Sequence, residues 1–176
     1  IYGKPLLHHV YMQQCNNVLF NLLDSHDTER LMNRLKNLNV FYQQLAVLFT
    51  MPGSPCIYYG TEIAMEGGHD PDCRRCMPWD EMDSEENRKR LEEMKKLISL
   101  RKSEKTFKSL YFHFPDTYRE KRCVEYIKLD DAGNKIQVVL NCTKESVDAL
   151  DGGEILFARG YENGKLAPDG TLIRRI

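Results

Sequence analysis

The sequence predicts an α/β segment that is followed by a small all-β segment. Residues 18–102 alternate in the order strand, helix, strand, long loop and helix, which is the pattern of parallel β/α units. After about residue 105 the pattern changes to short β-rich runs separated by turn residues, as in an antiparallel sheet. We therefore expect two domains, residues 1–105 and residues 106–176.

Two short apolar runs predict the strands of the first segment. Val18–Leu23 is almost entirely apolar and stops at a polar cluster, and Pro55–Gly60 behaves in the same way. Continuous apolar runs of this length suit strands buried on both faces, as in parallel sheets covered by helices. The end of a helix is also expected over Pro5–Gln14. The long stretch Thr61–Asp80 is rich in glycine and charge and lacks periodicity, so it predicts a functional loop.

Two amphipathic patterns predict the helices of the first segment. Asn39 is the expected N-cap of the first helix, and Asp83 with Glu86 is the expected capping box of the second. The apolar positions of the first helix are Phe41, Leu45, Leu48 and Phe49. Those of the second are Leu91, Met94, Leu97 and Ile98.

The second segment carries hairpin signals. Val124–Lys128 and Ile136–Leu140 flank the turn residues Asp131–Asn134. The remaining signals are, in chain order, the run Ile155–Ala158, the turn Asn163–Gly164 and the run Leu172–Ile173. Together they predict a small antiparallel β domain.

Composition excludes several classes of function. The chain is 41% hydrophobic and 29% charged with a net charge of -1, so it lacks the concentrated basic face of a nucleic-acid-binding protein. No apolar run approaches the roughly 20 residues that span a bilayer, and no signal peptide or targeting tail is expected. Ile1 stands where an initiator Met is usual, which favours a segment of a longer protein. The six cysteines do not form a dense disulfide pattern, so we expect a reducing, cytoplasmic compartment.

The strongest local feature is the run Asn21–Arg30, NLLDSHDTER, in which an apolar strand leads directly into His, Asp, Glu and Arg. In parallel α/β barrels the loops at the carboxyl ends of strands build the active site. There the Asp27 carboxylate can accept hydrogen bonds from sugar hydroxyls, and the His26 imidazole can donate them. Asp24, Asp27 and their hydroxyl neighbours are also common helix caps. The residues alone leave both interpretations open.

Two motifs resemble those of the α-amylase family, glycoside hydrolase family 13. The run Asn21–Arg30 resembles that family's fourth conserved region. Pro52–Asp80, PGSPCIYYGTEIAMEGGHDPDCRRCMPWD, looks like the eighth strand and following loop of its cyclomaltodextrinase, neopullulanase and maltogenic amylase branch. The resemblance covers residues 5–105 and continues weakly beyond them. It implies the last strands and helices of a (β/α)8 TIM barrel, followed by a small antiparallel β-sandwich that corresponds to domain C.

The resemblance also implies roles for four residues. Asp27 matches the third catalytic carboxylate, which grips the distorted sugar and favours an oxocarbenium-like transition state. His26 matches the histidine that hydrogen-bonds the same ring, and Asp70 and Arg74 match a loop pair that contacts the neighbouring sugar. Asp70 and Arg74 are four residues apart, a spacing that also suits a purely structural surface ion pair. Such a pair would contribute only about 0.3–0.5 kcal/mol to stability. The implied partner is an α-glucan oligosaccharide, without a cofactor.

The same resemblance limits what the isolated chain is expected to do. Retaining glycosidases need a nucleophile and an acid/base carboxylate about 5–5.5 Å apart. In this family both lie on earlier strands, which nothing before residue 18 supplies. We therefore expect the chain alone to be inactive on α-1,4- and α-1,6-glucans. Its incomplete barrel exposes strand edges, which predicts association between copies of the chain.

Two other classes of function compete with this one. The first is a non-catalytic carbohydrate-binding or assembly module in which the β domain is the working part. The second is a metal or redox protein that uses Cys73 and Cys76, which form a CxxC near His69 and Asp70. A structural zinc site usually needs four ligands, and no second pair of suitable spacing is present. We therefore expect no metal site.

Overall fold

The computed structural model describes residues 12–117, 122–149 and 152–176. The helices are α1 Gln13–Asn17, α2 Leu31–Leu35, α3 Leu38–Thr50 and α4 Glu85–Ser103. The strands are β1 Phe20–Asn21, β2 Ser54–Pro55, β3 Tyr111–His113, β4 Cys123–Leu129, β5 Lys135–Asn141, β6 Val147–Asp148, β7 Glu154–Glu162 and β8 Lys165–Arg175. Short 3-10 turns occur at Thr61–Ile63, Asp72–Arg74, Trp79–Glu81 and Lys105–Lys108. In the described part of the chain, no helix combines the length and apolar character needed to cross a membrane.

The first two strands are adjacent and parallel. Phe20 lies opposite Ser54, and Asn21 lies opposite Pro55. The predicted parallel pair is therefore present, but each strand is only two residues long, and most of the run Pro55–Gly60 is not a strand. The predicted helix Pro5–Gln14 lies outside the described residues except at its end, where α1 begins.

Both long helices begin at a different cap from the predicted one. The Asn37 side chain accepts hydrogen bonds from two backbone N–H groups in the first turn of α3, at 2.9 and 3.2 Å. The Ser84 hydroxyl accepts one from the Asn87 N–H at 3.3 Å at the start of α4. The choices of Asn39 and Asp83 as caps are thus wrong. Several neighbouring side chains have capping chemistry, and only the backbone geometry selects among them.

The remaining strands form one six-stranded antiparallel sheet. Its order is β3-β4-β5-β8-β6, and β7 also pairs with β8. The predicted turns are confirmed, since β4 and β5 are joined through Asp131–Asn134, and Asn163 and Gly164 have φ values of 50° and 75° between β7 and β8. β8 is central, because it supplies hydrogen-bonding partners to three other strands.

The single sheet differs from the two packed sheets of the predicted sandwich. β8 is 11 residues long, so that it pairs with β5 over Thr171–Arg175 and with β6 at its other end, Lys165–Leu166. Register shifts in β7 at Ile155–Phe157 and Arg159–Tyr161 interrupt its ladder with β8. Such bulges increase local twist, which lets one sheet curl and enclose a second small apolar cluster.

One continuous apolar core joins the helices to the sheet. The predicted inward residues of α3 are all buried, and they pack with the buried residues of α4 and of β4, β5, β7 and β8. Hydrogen bonds also connect α3 to the sheet. The Gln43 amide donates to the backbone carbonyls of Asn141 and Gly170 at 2.9 and 3.1 Å, and the hydroxyls of Thr50 and Tyr126 lie 2.5 Å apart. The helices are therefore fixed firmly on the sheet.

Lys128, on β4, is fully buried. Its ammonium group donates a hydrogen bond to the Ser109 carbonyl and lies 4.9 Å from the centre of the Phe112 ring. Burial, and to a lesser extent the nearby Arg101 guanidinium, lower the pKa of Lys128 to about 7. The ordinary value of 10.5 applies once the chain unfolds.

This difference predicts a pH-dependent stability. Between about pH 7 and pH 10 the unfolded chain holds a proton on Lys128 that the folded chain has released, so the free energy of unfolding should rise with pH. The slope is at most about 1.4 kcal/mol per pH unit. Lys128→Met should remove this slope and raise stability near pH 6, whereas Lys135→Met, on an exposed lysine, should change neither. Urea denaturation from pH 6 to pH 9 measures both effects, and a flat wild-type profile would contradict the prediction.

Candidate functional site

Asp24 anchors the polar cluster that follows β1. Its side chain is buried and accepts a hydrogen bond from the Leu31 N–H, at the start of α2, at 2.8 Å. The Thr61 hydroxyl donates to the same carboxylate at 2.9 Å. Asp24 therefore binds the first backbone N–H of α2. This is the structural role that the sequence left open for the acidic residues of this cluster.

The next turn presents His26 and Asp27 to solvent. The Ser25 N–H donates to the Thr28 hydroxyl at 3.0 Å, and the Asp27 N–H donates to the Ser25 hydroxyl at 3.2 Å. These short-range bonds satisfy the backbone of the turn. The Asp27 carboxylate is 69% exposed and does not cap α2.

A second loop carries Asp70 and Arg74 to the same place. The Asp70–Pro71 peptide bond is cis, and a 3-10 turn follows at Asp72–Arg74. The Gly68 N–H donates to the Asp72 carboxylate at 2.6 Å. That bond, with the Arg75 guanidinium, lowers the pKa of Asp72 below its ordinary value, so the loop is held by an ionised carboxylate.

All four predicted site residues meet in one exposed cluster. His26 Nε2 lies 3.2 Å from Asp27 Oδ2, and Arg74 Nη2 lies 3.5 Å from Asp27 Oδ1. Arg74 Nε lies 2.7 Å from Asp70 Oδ1 and also donates to the His26 carbonyl at 3.1 Å. One guanidinium thus bridges two carboxylates from loops that are distant in the sequence.

The exposure of this cluster indicates what it can do. The side chains of Asp27, Asp70 and Arg74 are each at least half exposed, and ion pairs of this kind contribute only about 0–1 kcal/mol to stability. The small gain in stability therefore does not explain why two carboxylates, an imidazole and a guanidinium lie together. Their oxygens and N–H groups face solvent, where they can exchange hydrogen bonds with the hydroxyls of a polar ligand.

Arg30 joins the two loops, a role that its sequence context did not predict. Arg30 is fully buried, and its guanidinium lies against the rings of Tyr58 and Tyr59, whose positions were assigned to a strand. A charged residue at the end of a polar run gave no signal that it would turn inward. Trp79, near the end of the long loop, is 76% exposed.

Cys73 and Cys76 lie in different environments. Cys73 is buried and its thiol donates to the His26 carbonyl at 3.2 Å, whereas Cys76 is exposed. All six cysteines are free thiols. Within the described ranges, no group of three or more His, Cys, Asp or Glu side chains is arranged to hold a metal ion.

Comparison with known proteins identifies the family. A model of the α-amylase catalytic domain matches residues 4–121. The intracellular maltogenic amylase of Bacillus subtilis is 52% identical over 96 residues, covering 54% of this chain and 16% of that protein. The cyclomaltodextrinase of Geobacillus thermopakistaniensis (strain MAS1) is 40% identical over 152 residues, covering 84% of this chain and 25% of that protein. The chain thus spans a quarter or less of the length of these relatives.

Solved structures agree on the fold. The maltogenic amylase from S. marinus matches with a TM-score of 0.74 and 30% identity, over 88% of this chain and 22% of that one. A debranching enzyme from Nostoc punctiforme matches with a TM-score of 0.80 over 97% of this chain and 38% of its own, at 22% identity, and this match supports the fold alone. Since the family model covers well over half of the sequence, the chain belongs to the α-amylase family.

Proposed function

We propose that this chain forms the carboxy-terminal part of a retaining α-glycosidase that acts on α-1,4- or α-1,6-linked glucans of the maltodextrin, cyclodextrin or pullulan type. The observation that carries the proposal is the convergence of His26, Asp27, Asp70 and Arg74 at one exposed rim. The names of its relatives, which include maltogenic amylase, cyclomaltodextrinase and neopullulanase, support the substrate class.

The proposed roles follow from charge and exposure. In glycoside cleavage the sugar ring gains positive charge and distorts. The Asp27 carboxylate stabilises that charge and accepts hydrogen bonds from ring hydroxyls, while His26 donates to the same ring. Arg74 orients Asp27 from one side and, with Asp70, contacts the neighbouring sugar. Each of these groups would gain bonds to a ligand without first being released from the protein core.

The nucleophile and the acid/base are proposed to lie in a preceding part of the enzyme. In this interpretation residues 1–105 complete a (β/α)8 barrel and residues 106–176 form the β domain that supports it. Support comes from the two-stranded parallel sheet, which is far too small to be a domain on its own. The isolated chain is then inactive.

A chimeric enzyme tests this proposal. The matched carboxy-terminal quarter of the Geobacillus cyclomaltodextrinase is replaced by this chain, and hydrolysis of a cyclodextrin and of maltotriose is measured. We expect the chimera to be active, and both the truncated relative and the isolated chain to be inactive. A folded chimera without activity, as judged by circular dichroism and a cooperative thermal transition, would refute the proposal. Tight maltotriose binding by the isolated chain alone would instead favour a carbohydrate-binding module.

The exposed face of β1 predicts that the isolated chain associates with itself. Phe20 in this strand and the flanking residues Val18 and Leu22 are 68%, 75% and 44% exposed. Among the described strands β1 pairs with β2 alone, so its other edge is open. We expect sedimentation velocity to show oligomers at high concentration, fewer with Phe20→Lys, and no such change with Tyr111→Lys on the exposed face of β3. A wild-type monomer at every concentration would contradict this.

We also infer a cytoplasmic location. A relative that is 52% identical over its matched region is named an intracellular amylase, and the six cysteines of this chain are free thiols, as a reducing compartment favours. Fractionation of the native cells tests this location.

A further inference from the structure

The guanidinium of Arg30 connects the two loops that form the site. Nε donates to the Cys73 carbonyl at 2.8 Å, and Nη1 donates to the Tyr59 carbonyl. The Arg30 backbone N–H donates to the Gly67 carbonyl at 3.0 Å. Arg30, three residues after Asp27, therefore contacts the segment Tyr59–Cys73 at three backbone carbonyls.

Two aromatic rings hold this guanidinium in place. Its central carbon lies 4.1 Å from the centre of the Tyr58 ring and 4.4 Å from that of Tyr59. The Tyr59 hydroxyl then donates to the Arg75 carbonyl at 2.9 Å. Because Cys73 and Arg75 flank Arg74, the contacts of Arg30 and Tyr59 fix the backbone on both sides of the residue that contacts Asp27.

Gly67 packs so closely against Arg30 that a side chain at this position would not fit. A methyl group added at Gly67 would lie 3.0 Å from Arg30 Cγ and 2.8 Å from the Asp72 carbonyl oxygen. The second loop is thus seated directly on the aliphatic part of the Arg30 side chain. Only glycine permits this approach.

The chemistry of these contacts indicates that Arg30 positions the loop and does not merely fill space in the core. A buried cation is a costly way to occupy volume, since an apolar side chain of similar size would avoid the loss of hydration. The planar guanidinium, however, directs several donors at fixed angles and stacks on rings, which an apolar side chain or a lysine cannot do. Its described acceptors are the backbone carbonyls of Tyr59 and Cys73, so the guanidinium fixes the position of the segment that ends at the second loop.

We propose that Arg30 is a positioning residue that sets the distance of Arg74 from Asp27, and through it the geometry of the sugar-binding rim. Its importance for catalysis rests on the proposed function, but the placement of Arg74 does not. The proposal can therefore be tested in the 176-residue chain without sugar or turnover.

Arginine side-chain NMR and amide hydrogen exchange provide the test. In Arg30→Met we expect the Arg74 Nε–H signal to broaden or disappear, and the amides of Arg74 and Arg75 to exchange roughly tenfold faster or more. Arg30→Lys should show smaller changes of the same kind, in both the Arg74 signal and the exchange rates. The matched control is Arg34→Met, which removes an exposed arginine of α2 and should leave both signals unchanged.

The readout distinguishes a local role from a general one. Amides of β5 and β8 should keep their wild-type exchange rates in Arg30→Met if the residue acts on the loop alone. Equal acceleration in the loop and in the sheet, or unchanged exchange in the loop, would overturn the proposal. Should Arg30→Met fail to fold, Gly67→Ala disturbs the same contact from the loop side, because its added methyl group would meet Arg30 Cγ, and it should alter the Arg74 signal in the same way. An inactive chimera would leave this result unaffected.

Discussion

Replacing Asp27 with Asn in the chimeric enzyme is expected to lower kcat by about 10²–10³-fold, the usual effect of deleting one preorganised electrostatic contact to a transition state. Asn has the same shape and keeps an oxygen acceptor, so ground-state sugar binding should change little. It lacks the negative charge that opposes the positive charge developing on the sugar ring. The loss should therefore be in kcat much more than in KM, as steady-state kinetics with maltotriose would show.

The control for this variant is Asp131→Asn. Asp131 is an exposed aspartate in the turn between β4 and β5, and losing its charge should leave kcat and KM unchanged. If Asp27→Asn retained near-complete activity in a chimera that is otherwise active, the role proposed for Asp27 would be wrong. The chain would then contribute binding or stability alone.

The second large effect is expected on stability. Arg101→Met should lower the free energy of unfolding by about 3 kcal/mol, because an unsatisfied buried carbonyl costs about 1–3 kcal/mol and several would lose their donor. The Arg101 guanidinium is buried and donates to the backbone carbonyls of Phe49, Met51, Gly53 and Phe107. Its burial lowers the pKa of the guanidinium, and relief from that desolvation in the variant offsets part of the loss.

Urea denaturation of the isolated chain measures this effect. Lys102→Met, on the exposed neighbouring position, should stay within about 0.5 kcal/mol of the wild type. Arg101→Lys should fall between the two, since an ammonium group keeps the charge but cannot reach all four carbonyls. An unchanged midpoint in Arg101→Met would show that water replaces the guanidinium at the end of α3.

The elements that could be predicted are those that leave a local pattern in the sequence. The inward residues of α3, the hairpin of β4 and β5, and the turn at Asn163–Gly164 follow directly from periodicity and from turn chemistry. The four site residues could be named because they lie in two motifs. Their convergence required only that the two strands be parallel neighbours, as β1 and β2 are.

The wrong choice of helix caps is a local error, whereas the larger errors come from contacts between residues distant in the sequence. The run Pro55–Gly60 was assigned to a strand because it is apolar, but Tyr58 and Tyr59 enclose Arg30 instead of extending β2. A buried arginine whose acceptors are backbone carbonyls leaves no pattern in the chain. The sandwich was replaced by one curled sheet because the length of β8 lets it serve several partners, which strand spacing alone does not reveal.

The central position of β8 has a consequence for the order of events during protein synthesis. Before residues 165–175 have left the ribosome, β5 lacks its second partner and β6 and β7 have none in the sheet. The apolar face of α3 packs partly on the same sheet, so its burial is completed only when β7 and β8 have formed. The pairing of β5 with β8 joins residues as far apart as Ile136 and Arg175. Pairings distant in the sequence form slowly, and the nascent chain is prone to aggregate meanwhile. Translation speed and chaperone supply, more than the sequence of the early strands, should then govern the yield of folded protein in the cell.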